Sequence, residues 1–295
     1  MKYLTSALLI YASIVSIARA QEAQGYEVAA PPESLKVPDY FQKYVSASGY
    51  PIISTAKVND YALKEAAYLV DLLLAERPDV RKAMIENGSR LIVMGYSEFT
   101  TENPYHARLK PKDYWDRRAR GLGGHTRDPI CSCAEENLLA FPGDPYHQEN
   151  ILIHEFAHNI HLVGLHAVDP SFDKRLKVAY DQAMATGLWK SKYASVNKNE
   201  YWAEGVQSWF DNNRPPDHDH NHVDTREELK EYDPRLAKLC EEVFGETELV
   251  YTKPTTRLTG HLAGYDPSAS PRFVWPERLK KANETIRKEV EKRDQ

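Results

Sequence analysis

The feature that most constrains this chain is an apolar segment that also contains ionisable side chains. Residues 151–161 read ILIHEFAHNIH, and the pattern H-E-x-x-H places His154, Glu155 and His158 within it. Because residues four apart share one face of a helix, the spacing predicts a helix with both imidazoles on the same side. Apolar residues cover most of its other sides, which is typical of a buried helix. Ionisable groups in such a helix need a compensating partner, since an unpaired buried charge is costly.

A metal ion is one such partner. Two histidines one helical turn apart can bind a single tetrahedral zinc ion, and the glutamate between them can act on a water molecule. The bare pattern also arises by chance or on a solvated helix face, and the apolar context disfavours that alternative here. The third ligand cannot follow the metzincin pattern, because His161 and Gly164 stand in the wrong order and His166 comes too late.

A later segment supplies candidate carboxylates. Residues 199–205 read NEYWAEG, and Glu200 and Glu204 share one face of a predicted helix. One interpretation is that Glu200 only complements the helix dipole and Glu204 is solvated. The helix, however, also carries large apolar residues that indicate burial: Tyr201, Trp202, Val206, Trp209 and Phe210. A metal bound by one carboxylate, with the N–H of a ligand histidine donated to the other, would remove their mutual repulsion.

Together, the two segments resemble the gluzincin metallopeptidases, in which H-E-x-x-H lies on one helix and a glutamate ligand on a later one. Within that group the chain is similar to the catalytic domain of anthrax lethal factor and its relatives. The matching segments are His154–His158 (HEFAH) and residues 193–204 (YASVNKNEYWAE). The similarity runs from Ile151 to about Phe210 and leaves residues 21–145 without a counterpart.

The resemblance implies a role for each matched residue. Zinc is the implied cofactor, and its implied ligands are His154, His158 and Glu200. Glu155 is the implied general base, which takes a proton from water and returns it to the leaving amine. Tyr193 would donate a hydrogen bond to the oxyanion of the reaction, and Glu204 would support a ligand histidine.

The resulting hypothesis is a secreted zinc-dependent endopeptidase. One alternative is a zinc amidohydrolase that acts on a non-peptide amide. Another is a non-catalytic binding protein whose structural zinc is closed by a fourth residue such as Cys133 or His161. Three protein ligands and an intact Glu155 favour the catalytic kind of site, because structural zinc is normally closed by four residues.

The order of the predicted elements indicates an α+β fold, because a few strands are followed by a run of helices. The resemblance implies a zincin-like domain, with a small mixed sheet and several helices around the active-site helix. Buried strands are predicted at residues 90–95 and 136–141, and the second could offer its edge to an extended peptide. Helices are predicted at residues 59–76, 79–86, 148–165, 171–186, 199–212, 226–244 and 276–293.

The N-terminus predicts export. Lys2, an apolar stretch and the small-residue pattern Ala18-Arg19-Ala20 are typical of a cleaved signal peptide. The alternative, an uncleaved anchor helix, is disfavoured because the apolar stretch is shorter than the about 17–25 residues of a membrane span. The predicted organisation is a signal peptide at 1–20, an extended arm at 21–57, a zinc metallopeptidase domain at 58–265 and a helical extension at 266–295.

Charge and hydropathy narrow the class of partner. The formal net charge is −5, and charges of both signs are mixed along the chain. This excludes the broad basic surface of a nucleic-acid binder. Because no apolar run reaches the about 20 residues of a membrane span, no stable membrane association is expected either. The expected partner is a peptide or protein substrate.

The cysteines and sequons fit an exported chain. Cys131 and Cys133 are too close in sequence to bridge each other without strain, so a disulfide from one of them to Cys240 is predicted. Three buried free thiols are the alternative. Asn87 and Asn283 begin glycosylation sequons.

Two further polar segments each leave two interpretations open. Residues 217–224 (DHDHNHVD) could bind a second metal, but a solvated polar loop is favoured because nothing in the segment fixes a geometry. Residues 113–124 (DYWDRRARGLGG) could form a substrate-recognition loop with a cationic rim or a structural network of arginines and carboxylates.

Overall fold

The computed structural model describes residues 25–245 and 247–293, so the predicted signal peptide at 1–20 lies outside the described residues. One sheet contains four strands in the order β1 (Lys43–Ala47), β2 (Tyr50–Ser54), β3 (Arg90–Met94) and β4 (Ile130–Ala134). The β1–β2 pair is antiparallel, whereas the β2–β3 and β3–β4 pairs are parallel. The small mixed sheet and the many helices confirm the predicted α+β class.

The principal helices, numbered in chain order, lie between the later strands and after them. They are α1 (Asp60–Leu73), α2 (Pro78–Glu86), α3 (Lys112–Arg118), α4 (Glu135–Leu138), α5 (Ile151–Asn159), α6 (Phe172–Ala185), α7 (Lys198–Trp209), α8 (Arg226–Tyr232), α9 (Pro234–Phe244) and α10 (Lys280–Arg293). Helix α5 continues without a break through a π-helical turn (Ile160–Leu165) and a last α-helical turn (His166–Val168). Within the described residues, no helix has the length and apolar character needed to cross a membrane.

The helix that carries H-E-x-x-H lies at the centre of the molecule. Successive residues of a strand point to opposite faces of the sheet. Leu91 and Val93 of β3 therefore join the main core with α1 and α5, whereas Ile92 and Met94 join a smaller cluster on the other face. Helix α5 packs against β4 on one side and α7 on the other. Both segments with candidate ligands are thus brought together in the interior.

Two sequence predictions about the strands are wrong. Residues 136–141 do not form a strand; the strand lies earlier, at 130–134, and is followed directly by the short buried helix α4. The Glu135 carboxylate accepts the backbone N–H groups of Asn59 (2.8 Å) and Tyr96 (2.9 Å). These tertiary bonds stabilise a bent backbone that local apolar content could not reveal.

The segment that was predicted to be an extended arm contributes half of the sheet. Strands β1 and β2 lie within residues 43–54 and form a hairpin in which Ala47 pairs with Tyr50. The two turn residues, Ser48 and Gly49, both have positive φ (47° and 91°), as the hairpin turn that matches strand twist requires. The Ser-Gly pair was the local signal for this turn.

The predicted disulfide is also wrong. Cys131, Cys133 and Cys240 are all free and buried. Cys131 and Cys133 lie on β4 in the main core, and Cys240 lies on α9 in the same core. Helices α5 and α7 pack in succession between β4 and α9, so the thiols are kept apart by two helical layers. The alternative of three buried thiols is what the structure has.

The segment 113–124 contains a structural network. Arg278, which precedes α10, pairs with Asp113 (2.6 Å) and Asp116 (2.9 Å) of α3. Arg120 is fully buried against Glu136: its Nε contacts one carboxylate oxygen and its Nη2 donates to the other at 2.9 Å. Arg120 Nη2 also donates to the carbonyl of Gly95 at 3.1 Å. These bonds fix the chain just before the glycines that follow Arg120.

We expect Arg120→Ala to lower the free energy of unfolding by about 3–5 kcal/mol, because the change leaves the Glu136 carboxylate buried without its partner. Urea denaturation measures the loss. Lys82→Ala is the control, since the exposed Lys82–Glu86 pair should contribute only about 0.2–1 kcal/mol. Equal losses in the two variants would contradict this account of the interior pair.

Candidate metal centre

Three side chains from two helices converge on one point. The Nε2 atoms of His154 and His158 lie 3.1 and 3.2 Å from Oε2 of Glu200, and 3.3 Å from each other. Among the described residues, these three form the one group of at least three His, Cys, Asp or Glu side chains placed to hold a metal ion. The histidine side chains are 10% exposed and that of Glu200 is 19% exposed, so the donor atoms remain accessible from solvent.

The spacing of the donor atoms fits zinc. Ligands at about 2.0–2.1 Å from a tetrahedral zinc ion lie about 3.3–3.4 Å from one another. The three observed separations of 3.1–3.3 Å are close to that value. Two imidazoles and one carboxylate are also a donor set that zinc uses in catalytic sites, where three protein ligands leave one position open.

The local charges favour a cation between these donors. Burial alone would lower the pKa of His154, but the hydrogen bond with Glu200 and the charges of Glu155, Glu200 and Glu204 outweigh it and raise that pKa to about 10. Burial would raise the pKa of Glu200, but its hydrogen bonds with His154 and His158 bring it well below its usual range. The carboxylates that stabilise a proton on His154 would likewise stabilise a metal dication between these donors.

The start of α5 is fixed by amide side chains. Asn150 caps the helix, and its Oδ1 accepts the N–H of Ile153 at 3.2 Å. Asn137 Oδ1 accepts the N–H of Ile151 at 2.7 Å, and Asn212 Oδ1 accepts the N–H of Asn150 at 2.8 Å. The buried N-terminus of α5 therefore has its donors satisfied, which holds His154 and its neighbours in place.

Helix α7 is fixed against α5 by one hydrogen bond and one glycine. Trp202 Nε1 donates to the carbonyl of Ala157 at 2.9 Å, which ties the two helices beside the metal donors. On the far side, a Cβ at Gly205 would lie 2.5 Å from Leu236 of α9, so glycine permits the close packing of α7 and α9. Glu200 thereby faces the two imidazoles.

The hydrogen bond that orients His154 goes to a residue the sequence analysis missed. His154 Nδ1 lies 2.8 Å from Gln207 Oε1 and 3.5 Å from Glu204 Oε1. Gln207 in turn donates from Nε2 to Glu149 at 2.9 Å. Glu200, Glu204 and Gln207 recur at helical spacing on one face of α7, and this periodicity was the available signal.

These distances predict an order of zinc affinities. Glu200→Ala should cost most of the affinity, because it removes one of three ligands. Gln207→Ala should cost about 10–100-fold, the range for a residue that orients a ligand histidine. Glu204→Ala should cost less than Gln207→Ala, because its contact with His154 is longer. Competition with a chelator measures all three. If Glu204→Ala is the most damaging, Glu204 is the ligand and Tyr193 loses its place in the mechanism.

Glu155 stands beside the donors and against a glycine-rich segment. The backbone of Gly123 lies close enough to its carboxylate to oppose, in part, the rise in its pKa that burial causes. A Cβ at Gly121 would lie 2.9 Å from Cγ of Glu155, and one at Gly123 would lie 2.5 Å from Cβ of His158. Only glycine allows the chain to pass this closely over α5. Burial and the charge of Glu200 raise the pKa of Glu155, while His154 and His158 oppose the rise.

Tyr193 faces the same space from a 3₁₀ turn before α7. Its ring centroid lies 6.2 Å from that of His154. Burial and the charge of Glu200 raise its pKa, so the phenol keeps its proton and can donate it in a hydrogen bond. The positive charge of Arg118, on α3, opposes the rise in the pKa of Tyr193. Arg118 had no local sequence signal, because its partner lies on a distant part of the chain.

The residues considered as a fourth ligand lie elsewhere. His161 Nε2 is 3.1 Å from Asp173, and its imidazole packs against Phe172 and Trp202. Cys133 is buried in the main core on β4. Neither belongs to the group of metal donors, which weakens the alternative of a closed structural site.

The segment 217–224 is not simply a solvated loop. His220 is 7% exposed. Its Nδ1 lies 2.8 Å from Asp217, and its Nε2 lies 3.4 Å from Oε2 of Glu204. The carbonyl of Asp219 also accepts the N–H of Tyr193 at 2.8 Å. The segment therefore supports the residues behind the metal centre. Its His and Asp residues form no second metal group among the described residues.

Comparison with known proteins gives a similarity of limited extent. No protein-family model and no curated protein matches the chain. Among solved structures, the chain is similar to the PRO-PRO endopeptidase PPEP-2 from Paenibacillus alvei, with 17% identity and a TM-score of 0.45. The match covers 65% of this chain and 97% of that chain. A similarity of this size does not by itself define an activity.

Proposed function

We propose that this protein is a zinc-dependent endopeptidase of the gluzincin type. The observation that carries the proposal is the triangle of donor atoms from His154, His158 and Glu200, with sides of 3.1–3.3 Å. Glu155 lies one residue from the first ligand and can reach the same accessible space. The narrower resemblance to the lethal factor catalytic domain remains part of this proposal.

Each residue of the site has a chemical task. Bound by these three ligands, zinc supplies a Lewis acid that polarises a carbonyl and lowers the pKa of water toward about 7. Glu155 accepts a proton from the water molecule as the water oxygen attacks the peptide carbon. It then delivers that proton to the amide nitrogen as the C–N bond breaks. The Tyr193 hydroxyl donates a hydrogen bond to the carbonyl oxygen as its negative charge develops.

The backbone edge that would pair with a substrate lies at residues 121–124 (GLGG), the glycine segment, and not at residues 136–141. Leu122 exchanges both backbone hydrogen bonds with Ser132 of β4, at 3.1 and 2.9 Å. In an antiparallel pair of this kind, the neighbouring residues turn their backbone groups away from the partner strand. Gly121 and Gly123 therefore form an outer edge next to Glu155, which suits pairing with an extended peptide.

We also propose that the protein is exported, on the pattern of residues 1–20. N-terminal sequencing of protein recovered from the culture medium should begin at Gln21. Retention of Lys2 in the recovered protein would contradict cleavage. Asn87 is exposed at the end of α2 and Asn283 lies on α10, and mass analysis before and after deglycosylation tests both sequons.

A diverse peptide library, incubated with and without a chelator, tests the enzymatic proposal. We expect cleavage that stops when zinc is removed and returns when it is restored. A zinc amidohydrolase is the second candidate, because the same donors and base serve any amide. Hydrolysis of small non-peptide amides without cleavage of any peptide would favour that candidate.

A further inference from the structure

A cavity of about 250 Å³ lies beside the glycine segment. Its apolar lining consists of Tyr105, Leu109, Trp115, Leu122 and Ile130. We propose that this cavity binds a large apolar side chain of the peptide substrate, one residue along from the residue that faces the metal donors. The inference rests on the proposed peptidase function and adds a substrate preference to it.

The cavity opens on the face of the sheet away from α5. Cys131 and Cys133 of β4 point into the main core with α5, so Ile130 and Ser132 point the other way. Leu122 pairs directly with Ser132, and residues directly opposite in an antiparallel pair share one face. His106 marks the same face, since its Nε2 lies 3.2 Å from Ser132 Oγ.

The glycine segment separates the cavity from the metal donors. Gly121 and Gly123 alternate with Leu122, and a Cβ on either glycine would meet α5 at Ile151 or His158. One side of the segment therefore faces α5 and the proposed catalytic residues, and the side that carries Leu122 faces the cavity. Gly123 contributes to both, because it also lines the cavity.

An extended peptide paired with this edge would place its side chains alternately on the two sides of the glycine segment. Successive side chains of a strand point to opposite faces. When one residue of a paired peptide faces His158 and Glu155, the residue next to it in sequence faces Leu122. That neighbouring side chain enters the cavity.

The chemistry of the cavity favours an apolar side chain. Its charged lining residues, Arg108 and Asp128, pair with each other. Burial lowers the pKa of His106 to about 4, so its imidazole is neutral at physiological pH. No unpaired charge from these groups is offered to a ligand. The apolar wall of the cavity, opposite polar residues that include His125, can distinguish small from larger apolar side chains by about 10–200-fold in kcat/KM.

The test uses peptide pairs that differ only in Leu or Ala at one position next to the scissile bond. For the wild-type protein we expect kcat/KM to favour Leu by about 10–200-fold at one such position. Trp115→Ala and Leu109→Ala should bring the ratio toward one by lowering kcat/KM for the Leu peptide. Leu258→Ala is the matched control, because Leu258 is 40% exposed and does not line the cavity.

Binding of the same pairs to Glu155→Gln separates this inference from the proposed function. Tighter binding of the Leu peptide, lost in Trp115→Ala, supports the cavity as a side-chain site even if the wild-type protein cleaves nothing. Cleavage with no Leu preference, or a preference unchanged in both cavity variants, overturns the inference and leaves the peptidase proposal standing. If Glu155→Gln binds both peptides equally and the wild-type protein cleaves neither, both the inference and the proposed function are overturned.

Discussion

Glu155→Gln is expected to keep its zinc and to lose about 10²–10⁴-fold in kcat, the usual contribution of a general base. Glutamine has nearly the same shape as glutamate but cannot accept the proton of the attacking water. The donor triangle of His154, His158 and Glu200 does not include Glu155, so metal binding should persist. Zinc content and kcat measured on the same preparation give both halves of the result.

A second Glu-to-Gln change provides the control. Glu86 is exposed on α2 and pairs only with Lys82 in the contacts seen here, so Glu86→Gln should cleave at the wild-type rate. If Glu155→Gln also hydrolyses peptides at the wild-type rate, Glu155 is not the base and the proposed mechanism is wrong.

The second large effect is expected from the pair His154→Ala and His158→Ala in one chain. The double variant removes two of the three ligands and leaves Glu200 alone, so tight zinc binding should be abolished. Peptide cleavage should fall to the level of the chelated wild-type protein. Elemental analysis after dialysis measures the zinc, and circular dichroism checks that the helices remain.

His166→Ala is the matched control, because His166 is exposed on the last turn after the π-helical segment and lies outside the donor group. It should retain full zinc and activity. Stoichiometric zinc in the double variant would contradict the assignment of the metal site, since another set of residues would then hold the metal.

Helical periodicity made the cluster of His154, His158 and Glu200 predictable. His154 and His158 are one turn apart in an apolar helix, and Glu200 lies in the first turn of a second, largely buried helix. Both patterns are local, so a sequence carries them directly. The resemblance to a known family implies zinc as the metal and a role for Tyr193, whose ring lies near that of His154.

The supporting residues could not be predicted in the same way. Gln207 shares a face of α7 with Glu200 and Glu204, but its uncharged side chain gives that spacing no clear chemical meaning until its distance to His154 Nδ1 is known. Arg118 reaches Tyr193 across a long separation in the chain. Contacts of this kind depend on how helices pack and not on the spacing of residues within one helix.

The strand predicted at residues 90–95 is confirmed by β3, whereas the predictions for the other strands failed for a related reason. β4 reads ICSCA and is buried on both faces, so it lacks the alternation that marks a half-exposed strand. The apolar residues 136–141 were taken for a strand because short apolar runs are ambiguous by periodicity alone. The hairpin of β1 and β2 depends on the turn at Ser48-Gly49, which a composition rich in Gly, Pro and Ser concealed.

The central claim is that one zinc ion, held by His154, His158 and Glu200, makes this chain a peptidase. Titration of metal-free protein with zinc, with kcat/KM followed on one cleaved peptide, tests it most directly. We expect no cleavage without metal and a linear rise of kcat/KM as zinc is added. The rise should reach a plateau at about one zinc ion per chain, as a single site of three protein ligands requires. Full activity of the metal-free protein would contradict it.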